Sequence, residues 1–186
     1  METREVVNKR ASLKMRMSAR EVEQEKIDQI LDAARVAPSA RNMQPWRFVV
    51  IKDRAVIENL VSAAFSEVNQ VVKEAPVIIV ACANPDHDII RDGKGYYLFD
   101  VGLAMENIVL TATDLGLVTH LMTGIDEGEL KKVLDVPDEV RFVAATPLAY
   151  PAEGSYDEAA QERLGQRERK GLKEIVYSNK WAKPFY

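Results

Sequence analysis

The spacing of hydrophobic residues predicts a chain that mixes helices with strands. Apolar side chains recur at helical intervals over residues 19–36, 54–68, 95–115 and 126–134, and a further short helix is expected over residues 1–9. Ser18 and Glu21 have the spacing of a capping box at the start of the helix predicted over residues 19–36. Continuous apolar runs over residues 48–51, 76–82, 118–122 and 141–148 indicate strands. Since the elements do not alternate in a strict βαβα order, the pattern predicts an α+β fold in which helices flank a central sheet.

Composition and charge narrow the function classes that fit such a fold. The chain has 186 residues and a net charge of −4, so we expect one domain, 1–186, and no general nucleic-acid binder. No apolar run is long enough for a transmembrane helix, no export signal is seen, and the single Cys82 cannot form an intrachain disulfide; together these predict a cytoplasmic protein with no membrane partner. His87 and His120 have no second histidine or cysteine at ligand spacing, so no metal site is expected.

A basic cluster near the start of the chain carries the first candidate chemistry. Arg10, Ser12 and Lys14 alternate, and in an extended segment residues two apart point the same way. A guanidinium, a hydroxyl and an ammonium on one side would suit a phosphate attached to a polyol chain. If this cluster is considered alone, a solvated run of surface charge is the more usual explanation for these residues.

A second basic cluster lies far along the chain, over residues 163–173. Arg167 and Arg169 alternate there in the same way, and two separated basic pairs can converge on one phosphate monoester. A solvated surface again explains this cluster if it is considered alone. No P-loop and no GxGxxG fingerprint is present, which argues against an NTPase and against a Rossmann nicotinamide domain.

The loop over residues 37–46 is the third candidate. Ser39, Asn42 and Gln44 lie between two prolines, and an asparagine amide offers both a donor and an acceptor to the edge of a heteroaromatic ring. The alternative is a rigid structural turn that Trp46 anchors in the core.

These segments together resemble the nitroreductase family of flavoproteins. The string APSARNMQPWRF at 37–48 resembles the family's signature loop, and RASLK at 10–14 resembles its phosphate and ribityl segment. The runs LGL and TGID, which begin at 115 and 123, resemble the segment that passes the flavin ring. RERK at 167–170, followed by LKEIV, resembles the C-terminal phosphate-binding stretch. The resemblance covers nearly the whole chain, with the motifs in the family's order.

The resemblance implies a fold, a cofactor and a set of binding residues. The fold is α+β with a central, mostly antiparallel sheet flanked by helices, in an intertwined homodimer that binds two FMN at its interface. Asn69 or its neighbour Gln70 would meet the pyrimidine edge of the flavin. The other implied cofactor-binding residues are Arg10, Ala11, Ser12 and Lys14; Arg167 and Arg169, which complete the phosphate site; Pro38, Ser39 and Asn42, which come from the partner subunit; and Thr123 and Gly124, whose backbone N–H groups face N5.

The function implied by the resemblance is electron transfer from NAD(P)H to a small organic acceptor, such as a nitroaromatic or a quinone, by a ping-pong mechanism. Hydride transfer needs no side-chain acid or base, so no catalytic side chain is assigned. Two alternatives stay open: other flavin chemistry on the same fold, such as dehalogenation or flavin destruction, and a non-catalytic FMN-binding protein. The aromatic tail, residues 172–186, is expected to pack on the partner subunit, with packing on its own domain as the alternative. Lys9, Ala11 and Ala149 depart from the family pattern, which leaves the substrate open.

Overall fold

The computed structural model describes residues 1–12, 15–155 and 157–186, together with the backbone but not the side chains of 161 and 163–165. The chain forms two compact units, Met1–Ser155 and Tyr156–Tyr186. The prediction of a single domain over 1–186 therefore stays a prediction, and the two units are described separately here.

The first unit contains five helices and five strands among its described residues. In chain order these are α1 (Thr3–Lys9), α2 (Gln24–Arg35), β1 (Trp46–Ile51), α3 (Arg54–Ala64), β2 (Val77–Ala83), β3 (Ile90–Arg91), β4 (Lys94–Gly95), α4 (Tyr97–Asp114), α5 (Glu127–Leu134) and β5 (Arg141–Leu148). Single 3₁₀ segments occupy Ala40–Asn42, Glu67–Glu74 and Pro85–His87. The helices predicted at 95–115 and 126–134 and the strands predicted at 76–82 and 141–148 are confirmed to within two residues.

A three-stranded antiparallel sheet in the order β1-β2-β5 forms the centre of this unit. Every residue of β2 is buried, and successive side chains enter opposite layers of core. Val77, Ile79 and Ala81 pack in the layer that contains α2 and α4. Ile78, Val80 and Cys82 pack in the layer that contains α3 and α5. The predicted α+β fold with a mostly antiparallel sheet between helices is therefore confirmed.

The second helix begins later than predicted, because the capping box at Ser18 does not form. Helix α2 starts at Gln24, and Glu23 caps it without a side-chain hydrogen bond. The backbone N–H of Ser18 instead donates to the carbonyl of Tyr150, and the Ser18 hydroxyl accepts from the N–H of Arg20. This pairing of Ser18 with a distant segment accompanies the absence of helix over residues 18–22, and tertiary contact overrides the local signal.

Helix α3 ends four residues before its predicted end at residue 68. Phe65 leaves the helix and forms a bridge with Ile125, and a 3₁₀ segment follows from Glu67. The side-chain amide of Gln70 donates to the carbonyls of Val61 and Phe65, at 2.9 and 3.0 Å. The Val61 carbonyl also accepts from the N–H of Phe65 at 3.2 Å, so Gln70 adds a second donor there and supplies a donor to the Phe65 carbonyl just beyond the helix.

Residues 118–122, predicted as a strand, pair with β5 only through bridges at Val118–Ala149 and Met122–Ala145. The residue of β5 opposite His120 in this register is Pro147, which has no N–H to donate. The N–H of His120 donates instead to the Thr146 hydroxyl, at 3.2 Å, and that hydroxyl donates to the Pro147 carbonyl. A proline on β5 therefore interrupts the ladder that the apolar run predicted.

The second unit contains α6 (Glu158–Gly165), which the hydrophobic pattern did not predict, and α7 (Leu172–Ile175). The Asp157 side chain caps α6 by accepting from the N–H of Ala160. In the tail, the rings of Tyr177 and Trp181 lie 5.0 Å apart, and Trp181 is 87% exposed. Packing of this tail on a partner subunit stays a prediction.

Candidate cofactor site

Residues 10–12 leave α1 in an extended conformation, which places alternate side chains on opposite sides. Arg10 follows α1 with φ −56° and ψ 127°, and Ser12 forms a parallel bridge with Thr119. Ala11 is buried between them, while Ser12 is exposed and the Arg10 guanidinium lies 3.8 Å from Glu106. Arg10 and Ser12 thus have the alternation that the sequence predicted, with Ala11 serving as the anchor of the segment. Lys14, the third residue of the predicted set, lies outside the described residues.

Next to Thr119, a buried polar network joins three segments that are distant in sequence. Asn69 is 5% exposed; its Nδ2 donates to the carbonyl of Gly124 at 3.2 Å, and its Oδ1 lies 3.3 Å from His120 Nε2. His120 is 6% exposed and immediately follows Thr119. The structure therefore brings residues 12, 69 and 124 along one edge of the sheet.

Gly124 is exposed at the end of this network, next to the exposed Thr123. A Cβ placed on Gly124 would lie 3.3 Å from the Ser66 hydroxyl and 3.6 Å from Asn69 Nδ2. A side chain would therefore crowd the network, and glycine keeps the backbone open to a flat ligand.

Asn69 and Gln70, which the sequence left as alternatives, have different surroundings. The amide nitrogen of Gln70 is committed to the end of α3, whereas Asn69 lies in the network with Gly124 and His120. Sequence reasoning assigned no role to His120, since a lone histidine without a nearby ligand partner gives no signal. Its contact with Asn69 spans 51 residues, and only the fold reveals it.

The signature loop has an unusual concentration of left-handed backbone. Arg41, Asn42 and Gln44 have φ values of 48°, 59° and 50°. Such conformations each cost a non-glycine residue on the order of 1 kcal/mol or more and persist where surrounding contacts impose them. The Ser39 hydroxyl accepts from the N–H of Gln44 at 3.0 Å, which closes the loop. Pro38 and Asn42 are exposed.

Asp100, in the first turn of α4, anchors the same loop through a hydrogen bond to its backbone. It is fully buried, and its Oδ2 accepts from the N–H of Ala40 at 2.8 Å, while its Oδ1 has no partner among the described residues. Burial raises the pKa of this carboxyl group; the Ala40 N–H opposes the rise, and the charge of Asp88 adds to it. The loop is thus anchored at residue 100 of α4, whereas Arg10 lies beside residue 106. Contribution of Pro38, Ser39 and Asn42 by a partner subunit stays a prediction.

Arg167 and Arg169 belong to the second unit. Arg169 Nη1 donates to the carbonyl of Glu168 at 2.7 Å. Convergence of these two arginines with Arg10 on one phosphate stays a prediction. Within the described ranges, no group of three or more histidine, cysteine or acidic side chains is arranged to hold a metal ion, and no helix is both long and apolar enough to cross a bilayer.

The chain matches known sequences over most of its length. The model of the nitroreductase family matches residues 7–73 and 67–150. A protein of Methanothermobacter thermautotrophicus, provisionally named NADH dehydrogenase/NAD(P)H nitroreductase, is 34% identical over 82% of this chain and 79% of its own length. An iodotyrosine deiodinase of Haliscomenobacter hydrossis is 29% identical over 74% of each chain.

Solved structures agree with these matches. A nitroreductase family protein from Clostridium novyi NT covers 100% of this chain with 97% of its own length, at 33% identity and a TM-score of 0.77. A structure described as an oxidoreductase containing FMN covers 96% of this chain with 92% of its own, at 26% identity and a TM-score of 0.78. The family model, the relatives and the solved structures together show that this chain belongs to the nitroreductase family of oxidoreductases.

Proposed function

We propose that this protein is an FMN-dependent oxidoreductase that moves electrons from NAD(P)H to a small organic acceptor by a ping-pong mechanism, as a homodimer. The observation that carries the proposal is the meeting of Ser12, Asn69 and Gly124 through Thr119 and His120. These are the segments that the family resemblance assigns to the flavin, and they are up to 112 residues apart in the sequence (124 − 12).

The chemistry of the site fits FMN. Arg10 is a permanent cation for a phosphate, and the exposed Ser12 hydroxyl suits a ribityl chain. Asn69 has a second amide hydrogen beyond the one it donates to Gly124, which suits a carbonyl of the pyrimidine edge. The bare backbone at Gly124 allows a flat ring to approach, whereas a Cβ there would press on the Ser66 hydroxyl.

In the proposed mechanism the protein binds and orients, and bound FMN supplies the hydride chemistry. Arg10, with Arg167 and Arg169, would hold the phosphate, and the backbone N–H groups of Thr123 and Gly124 would serve as donors to the flavin ring. Asn69 and the loop of Pro38, Ser39 and Asn42 would line the ring. A relative named for NADH and NAD(P)H supports a reduced nicotinamide as the donor.

A visible absorption spectrum of the purified protein, taken before and after anaerobic addition of NADH, tests the proposal. Flavin absorption that bleaches on adding NADH is the expected result. A protein that stays colourless even after incubation with FMN would overturn the proposal. Arg10→Ala should retain less FMN through dialysis than the wild type, while Arg4→Ala, an exposed arginine on α1, should retain the wild-type amount.

Reductive dehalogenation is a second candidate, since a deiodinase is among the relatives. That reaction replaces a carbon–halogen bond by carbon–hydrogen, consumes two electrons and a proton, and releases halide. Bound flavin that dithionite reduces but NADH does not, together with iodide release from an iodophenol, would favour this candidate over the first.

A further inference from the structure

A small basic cavity lies beside the signature loop, outside the network of Asn69. The cavity has a volume of about 220 Å³ and is lined by Ala40, Arg41, Ile89, Arg91 and Tyr96. Two exposed cations and one exposed phenol ring therefore border an open depression in the surface of a protein whose net charge is −4. A concentration of positive charge in a concave site attracts anions and holds them at fixed positions.

Neither arginine of the cavity forms an ion pair with a carboxylate of the described residues. Several other arginines meet a carboxylate, among them Arg35, Arg54 and Arg141. In the part of the chain that the structure describes, the guanidinium groups of Arg41 and Arg91 form no ion pair and no hydrogen bond. Their donors are available to a ligand.

The backbone on both sides of the cavity is held firmly. Arg41 has a left-handed conformation, which the bond from Ala40 to the buried Asp100 helps to impose. On the other side, Asp92 and Gly93 both have positive φ, the signature of a tight type I′ turn, and the β3–β4 hairpin carries Arg91. The N–H of Tyr96 donates to the Ile89 carbonyl at 2.9 Å and ties the hairpin to the start of α4.

We propose that this cavity binds an oxyanion, a carboxylate or a phosphate, carried by the small molecule that exchanges electrons beside the signature loop. Two guanidinium groups match planar or tetrahedral oxyanions with paired N–H donors, and the face of Tyr96 packs against an attached ring. The volume is below the roughly 300 Å³ at which pockets for drug-sized ligands begin, so the cavity takes an anionic substituent and not a whole dinucleotide. The assignment to an electron-transfer substrate rests on the proposed function, whereas the binding of an oxyanion does not.

Equilibrium binding of benzoate and of inorganic phosphate to the purified protein, by isothermal titration calorimetry without NADH, tests the cavity directly. Arg91→Gln should weaken binding of the preferred anion by about tenfold, the usual effect of removing a charge-assisted hydrogen bond. Arg41→Asn should do the same, and asparagine tolerates the left-handed backbone at this position. Lys94→Gln removes a cation from the same hairpin but outside the cavity lining, and it should leave binding unchanged. Equal affinity in wild type and Arg91→Gln, or an equal loss in Lys94→Gln, would overturn the proposal.

Steady-state kinetics then separates the two sources of the anion. A preference for 4-nitrobenzoate over nitrobenzene that disappears in Arg91→Gln, with nitrobenzene turnover unchanged, assigns the oxyanion to the acceptor. A rise in the KM for NADH or NADPH, with no change in that preference, assigns it to the phosphates of the donor. Should the protein bind benzoate at Arg91 yet fail to bind FMN, the proposed function falls and the anion site stands.

Discussion

Asp100 offers a sharp test, because its buried carboxylate performs one identifiable task. Its Oδ2 accepts from the N–H of Ala40 at 2.8 Å, and its Oδ1 has no partner in the described chain. Asp100→Asn keeps an acceptor of the same shape and removes the charge, whereas Asp100→Ala removes both. The difference between the two variants isolates the hydrogen bond that anchors the signature loop.

The expected magnitude follows from the surroundings of that bond. Leaving a partly buried N–H without an acceptor costs about 1–2 kcal/mol, so Asp100→Ala should be less stable than Asp100→Asn by at least that amount. For a chain of 150–250 residues this corresponds to roughly 2–8 °C in Tm. Urea unfolding of matched samples, with the same cofactor content, gives the free energy of unfolding for each variant. Equal stability of the alanine and asparagine variants would refute the anchoring role.

The stability difference between the wild type and Asp100→Asn should depend on pH, with a definite sign. Burial raises the pKa of Asp100 in the folded state, so the folded protein holds the proton more tightly than the unfolded chain. This group therefore favours folding fully below its ordinary pKa of about 3.9, and the contribution is lost as pH rises through the raised pKa. Relative to Asp100→Asn, the wild type should lose stability as the pH rises from about 4 through the raised pKa of Asp100. A wild type that gains on the asparagine variant over this range would show that the carboxylate is stabilised in the fold.

Three further results are expected. Gln70→Ala should lower the free energy of unfolding by about 1–2 kcal/mol in urea, because the Phe65 carbonyl loses its side-chain donor and the Val61 carbonyl keeps only the N–H of Phe65; the exposed Glu67→Ala serves as a neutral comparison. In apo-protein titrations, His120→Ala should weaken FMN binding several-fold by releasing the Asn69 amide, and a variant that binds as tightly as wild type would remove His120 from the site. The Cys82 thiol should react with a disulfide reagent only after unfolding, since burial raises its pKa to about 11; rapid labelling of the native protein would contradict its place in the core.

The central sheet and the long helix α4 were predictable because each has a strong local signal. The run Val77–Ala83 is apolar on both faces, and α4 is apolar around most of its circumference. The start of α2 was not predictable, since a pairing between Ser18 and Tyr150 across 132 residues (150 − 18) decides it. The break in the 118–122 strand depends on Pro147, which has no N–H to pair with the segment opposite it. The sequence of residues 118–122 itself carries no sign of this missing donor.

The candidate site divides in the same way. The alternation of side chains along Arg10–Ser12 is a local property of an extended segment, and the structure shows it as predicted. The roles of His120 and Asp100 rest on contacts to Asn69 and Ala40 that no spacing rule anticipates.

The interruption at Pro147 also governs how the edge of the sheet opens. Residues 118–122 have backbone pairing with β5 only at their two ends, and between these ends a single bond joins the N–H of His120 to the Thr146 side chain. This segment can therefore separate from the sheet without disturbing β2, whose backbone is paired on both sides. Local openings of this kind need far less free energy than global unfolding. The amide hydrogen of His120, which is held by one side-chain hydroxyl, should therefore exchange with deuterium earlier than those of Val77–Ala83, which should exchange last. A ligand that contacts both Ser12 and Asn69 would stabilise the 118–122 segment against opening. Slower hydrogen exchange in this segment would therefore report that the site is occupied, without any measurement of turnover.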